Sequence, residues 1–94
     1  MTYTALLSSK AEDQLRNLPY PLQESVIEHL EILCSRPTEV SRPTYTPPFP
    51  PNRQMYEFYL IESGIKHRFV VIFQYGQDEE HLWILGIGHT EYHL

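Results

Sequence analysis

Cysteine is nearly absent: the one thiol, Cys34, has no partner for an intramolecular disulfide or a multi-cysteine zinc site, which points to a reducing compartment. No apolar run approaches the roughly 18 residues that a membrane helix needs. The opening MTYTALLSSKAED shows no basic segment leading into an apolar one, so a soluble cytoplasmic protein with no membrane partner is expected. Basic residues are also scarce, 7 Lys and Arg against 12 Asp and Glu. A net charge of -5 gives no global field for nucleic acid, and any such binding needs a local basic patch. With 94 residues, a single domain over 1–94 with one core is expected. The 41% hydrophobic composition is that of a chain that folds.

What is present sorts into a clear order. Thr2 to Leu7 alternates as a short strand, with Tyr3, Ala5 and Leu7 on one face. Ser9 and Glu12 have capping-box spacing and predict a helix whose stripe is Ala11, Leu15 and Leu18, ended by Pro19 to Pro21. A second helix starts near Pro21, with Leu22, Val26, Ile27, Leu30, Leu33 and Cys34 on its apolar side and Glu24, Glu28 and Glu31 opposite. Cys34 therefore reads as a buried core thiol. Six of the eight prolines fall in RPTEVSRPTYTPPFPP, a connection over about 36–53 that is expected to be extended, neither helix nor central strand, with Tyr45 and Phe49 as anchors. Three strands follow: Gln54 to Glu62, a tight turn at Ser63-Gly64, Ile65 to Tyr75, a solvated turn at Gly76 to Glu79, and His81 to Gly88. The order β-α-α-β-β-β predicts an α+β sandwich, with a helix hairpin packed on one face of a four-stranded antiparallel sheet.

The rhythm LxxLPxxLQ at Leu15, Leu18, Pro19, Leu22 and Gln23, the segment MYEFYLIESGIKHRFVVIFQY and the ending WILGIGHTEY together resemble the RelE/ParE superfamily of small bacterial toxins. The resemblance spans nearly the whole chain. It implies the toxin of a type II toxin-antitoxin system: an antitoxin protein as partner, the ribosome and messenger RNA as targets of an endoribonuclease, or DNA gyrase as the target of a non-catalytic, binding-only member. Tyr59 and Thr90 stand where nuclease members of the family carry arginines, and the acidic charge departs from ribosome-directed members.

Cleavage through a 2'-hydroxyl needs a base, cationic stabilisation of the crowded phosphate and an acid for the leaving oxygen. The resemblance carries three residues over to that chemistry as the expected catalytic set. Arg68 would grip the phosphate with its planar fork, His89 would serve as acid or base, and Tyr92 would complete the pocket. The competing role for Arg68 is a salt bridge to Glu57. Arg53, Lys66, Tyr59 and Arg42 are the expected RNA-binding residues, the cations on phosphates and Tyr59 on a base. Arg68, His89 and Tyr92 should share one face, and Arg36, Arg42, Arg53, Lys66 and Arg68 should form one basic surface. His89 and His93 have zinc-ligand spacing without a third convergent ligand, so no metal and no cofactor is expected. Gly86 and Gly88 are read as allowing a bend or a close contact.

Overall fold

The computed structural model describes residues 2–44 and 52–93. Strand β1 (Thr4–Leu7) leads into helix α1 (Ser9–Arg16), helix α2 (Tyr20–Ser35), a one-turn helix α3 (Pro37–Val40), and strands β2 (Arg42–Pro43), β3 (Gln54–Glu62), β4 (Ile65–Tyr75) and β5 (His81–His93). No helix among the described residues is long and apolar enough to cross a membrane.

The α+β class is as expected, and the sheet differs in detail. It has five strands in the order β1-β5-β4-β3-β2. The β3-β4-β5 meander is antiparallel, but β1 runs parallel to β5, pairing Thr4 with His81 through Leu7 with Ile84. Alternation reveals which side chains share a face and is silent on strand direction, so a four-residue strand carries no orientation signal. The fifth strand lies inside the proline-rich stretch. Arg42 and Pro43 pair with Met55 and Gln54 at the sheet edge, where a missing N–H is tolerated. The expectation that this stretch holds no helix also fails: Pro37 occupies the first turn of α3, a position where its lost donor costs nothing. Tyr45 and Phe49, the expected anchors, lie outside the described residues.

Local chemistry sets the helix ends. Ser8, one residue before the expected cap, accepts from the Ala11 N–H at 3.1 Å and donates to the Leu85 carbonyl at 3.0 Å, tying the start of α1 to β5. Glu12 pairs with Arg16 instead of closing a capping box. The Gln23 amide donates to the Arg16 and Leu18 carbonyls at 3.0 and 2.7 Å, satisfying the end of α1. At the β3–β4 turn Ser63 and Gly64 have φ of 53° and 75°, the left-handed pair that a two-residue hairpin demands.

The core lies between α2 and one face of the sheet. Leu22, Val26, Leu30, Leu33 and Cys34 of α2 meet Tyr56, Phe58, Phe69, Val71, Phe73, Leu82, Ile84 and Ile87, all buried. Ile27, expected on the apolar stripe, is 45% exposed. Register shifts within β5 so that Ile84 faces Phe73 while Gly86 faces Ile72, leaving Leu85 as the extra residue. The shift lets Ile84 and Ile87 both point into the core.

Candidate functional site

Period-two alternation divides the meander into two surfaces. Met55, Glu57 and Tyr59 of β3, Lys66, Arg68, Val70 and Ile72 of β4, and Gly86, Gly88, Thr90 and Tyr92 of β5 share the face away from α2. A cleft of about 430 Å³ lies on this face, lined by Val70, Ile72, Gly86 and Gly88, with Met55 and Arg68 beside it and Lys10 and Gln14 of α1 at its β5 side. The cleft exists because two alternate positions of β5 carry no side chain. A methyl group at Gly88 would come no nearer than 3.7 Å to the Val70 carbonyl, so nothing in the backbone packing requires glycine there.

Polar groups collect beside the cleft. Arg68 donates from Nε and Nη2 to Glu57 Oε2 at 2.8 and 2.5 Å, the salt bridge foreseen as its competing role. That hydrogen bond raises the guanidinium pKa above its ordinary value. The Tyr59 hydroxyl reaches Glu57 Oε1 at 3.5 Å, and Lys66 Nζ sits 4.4 Å from the centre of the Tyr59 ring. Lys66 lies opposite Tyr92 in the sheet, and Tyr59 and Tyr92 are 47% and 46% exposed. Arg42 is the partner of Met55 and joins the same side, and Arg53 reaches the Gln74 amide oxygen. Arg36 departs from the expected basic surface: it pairs with Glu39 at 3.7 Å and acts electrostatically on the core residue Tyr56. A chain that is acidic as a whole thus gathers Lys10, Arg42, Arg53, Lys66 and Arg68 around one face.

His89 is elsewhere. It lies directly opposite Phe69, which is fully buried in the core, and the two rings stack at 4.5 Å and 5°. Arg68 and His89 therefore occupy opposite faces of the sheet, and the expected grouping of Arg68, His89 and Tyr92 on one face is not formed. The physical reason is the strand period: Thr90 is the β5 partner of Arg68, and its neighbour His89 must point the other way. His89 Nε2 is 2.9 Å from Nδ1 of His67, a buried residue that sequence reasoning passed over. Burial lowers the His89 pKa first, His67 lowers it further, and Glu91 opposes both. The signal for His67 was its odd-numbered place in β4 with Phe69, Val71 and Phe73.

No protein-family model matches the chain, and no curated protein matches it in sequence. The fold is nevertheless shared with solved structures. An α+β sheet with this order of elements defines a class of small domains, and within that class the chain has the RelE fold. The toxin-antitoxin complex RelBE2 from Mycobacterium tuberculosis is 16% identical with a TM-score of 0.71, covering 96% of this chain and 100% of that one. The intact E. coli RelBE complex is 18% identical with a TM-score of 0.62, covering 96% and 99%. An E. coli RelE mutant bound to an antitoxin RelB peptide is 20% identical with a TM-score of 0.61, covering 98% and 87%.

Proposed function

We propose that the chain is a toxin of the RelE type, an endoribonuclease that acts on messenger RNA at the ribosome and is neutralised by an antitoxin protein. The observation that carries this reading is a RelE fold matched from end to end by proteins solved as toxin-antitoxin complexes. The uncovered face supports it. Arg68 offers two donors to a phosphate once Glu57 yields them, Lys10, Lys66, Arg42 and Arg53 supply cations for the backbone, and Tyr59 and Tyr92 present rings to unstacked bases. Proton transfer on that face falls to the Glu57 carboxylate, since the His89 ring stands behind the sheet. A carboxylate is a poorer base than imidazole at neutral pH, so the enzyme of this reading is slow.

The separation of Arg68 from His89 favours a second reading, a binding-only member that inhibits DNA gyrase or engages another partner. One experiment decides between them: induce the chain alone and with a candidate antitoxin, follow growth, and map RNA ends. Arrest relieved by the antitoxin, with new RNA ends, is expected. Arrest with intact RNA supports a gyrase inhibitor, and growth without arrest overturns both toxic readings and leaves a member that only binds a partner.

A further inference from the structure

On the face of the sheet that packs against α2, the core gives way to donors at the far end of β4 and β5. Phe58, Phe69 and His89 are cross-strand partners in one row of stacked rings, with His29 of α2 stacked on Phe58 at 3.9 Å and 4°. The next row pairs His67 with Glu91. His67, His89 and Glu91 each offer one ligand atom, and these atoms all lie within 4.8 Å of one another. We infer that His67 Nδ1, His89 Nε2 and the Glu91 carboxylate form a site for a divalent transition metal, with Zn²⁺ as the fitting ion.

Geometry supports the assignment. Two imidazole nitrogens 2.9 Å apart share a single proton in a hydrogen bond, and an ion that displaced that proton would find two nitrogen donors side by side. A tetrahedral zinc with Zn–N bonds of about 2.0–2.1 Å sets its two nitrogens roughly 3.3 Å apart, which a small ring rotation supplies. Both rings are already held, His67 by burial and His89 by the stack on Phe69, so little ordering is required of them. Two imidazoles and one carboxylate suit Zn²⁺ and its first-row neighbours, whereas Mg²⁺ and Ca²⁺ prefer oxygen donors. Three protein ligands leave a fourth position for water, and Glu91 lies at an exposed position from which solvent reaches the cluster. The bound ion would fasten the last turn of side chains on β5 to β4, beyond the point where β1 stops pairing with it. A second cluster, Asp78, Glu80 and His81, sits at an exposed turn, and its Asp78 oxygens are already bonded to the Glu80 and His81 N–H groups and the His81 ring. It serves as the control.

The test uses tag-free protein, equilibrium dialysis against Zn²⁺ alone, and visible absorption of Co²⁺ as the probe of coordination. One equivalent is expected to bind with a Kd of about 10 µM or tighter, with a Co²⁺ spectrum of four-coordinate intensity. His89→Gln should weaken binding about 10²-fold and Glu91→Gln, at an exposed position that leaves the fold alone, about 10-fold. Asp78→Asn combined with His81→Gln should leave the affinity unchanged. Binding absent from the parent protein, equal in Glu91→Gln and parent, or lost only in the turn variant overturns the site, and His67 and His89 are then a hydrogen-bonded pair and nothing more.

Discussion

The two faces of the β3-β4-β5 meander are built from interleaved residues of the same strands and differ in almost every physical respect. On the α2 side, Phe58, Phe69 and His89 stack ring on ring and Phe69, Val71 and Phe73 are fully buried. On the other, Glu57, Arg68, Tyr59 and Lys66 are linked by charge and hydrogen bonds around a cleft floored by glycine. On the proposed reading, stability and recognition belong to opposite sides of one sheet, so a change on either side is expected to disturb one property and spare the other.

The largest effect that tests this division is on the buried side. Phe69→Ala removes a fully buried ring that touches Phe58 and His89, and is expected to cost about 3–5 kcal/mol in urea unfolding. Ile72→Ala, on the half-buried open face of the same strand, should cost under about 2 kcal/mol. Equal costs would break the comparison.

The open face has the next largest effect, on activity. If the chain cleaves RNA, Arg68→Ala should slow cleavage about 10²-fold, equivalent to about 2.7 kcal/mol of transition-state stabilisation. Gly88→Val sharpens the point, because it fills the cleft while its Cβ meets only ordinary contact with the Val70 carbonyl. About a tenfold loss of cleavage with an unchanged unfolding midpoint is expected, and unchanged cleavage in both variants would remove the open face from the reaction.

Much of this division was legible in the sequence. Period two in Ile65 to Tyr75 put Arg68 and Phe69 on different faces, and Ser63-Gly64 announced its hairpin. The site was less legible, for a reason of register. Whether His89 or Thr90 accompanies Arg68 depends on how β5 aligns with β4, and the alignment is shifted by one residue at Leu85, a displacement that alternation alone does not reveal. His67 was hidden for another reason: a histidine among apolar partners reads as packing until the strand opposite places His89 and Glu91 beside it. The direction of β1 and the strand at Arg42–Pro43 were beyond reach because segments of four and two residues carry too little pattern.

The smallest expected effect concerns the link between α2 and the ring stack. His29 is half-buried, stacks on Phe58, and its Nδ1 lies 2.7 Å from the Tyr56 hydroxyl. Burial lowers its pKa below the ordinary 6.5 and outweighs the opposing charge of Glu28. The folded protein therefore favours the neutral ring, while the unfolded chain takes up its proton near pH 6.5. The stabilisation His29 brings is fully present above that value and is lost as pH falls below it through the folded-state pKa. Thermal unfolding of the parent and of His29→Gln, compared at pH 7.5 and 5.5, isolates this contribution, because the other titrating groups are common to both. The parent's advantage in Tm should shrink at the lower pH. An advantage that stays constant or grows on acidification would mean that His29 is held as the cation, and that α2 meets the sheet through charge instead of through the stacked rings.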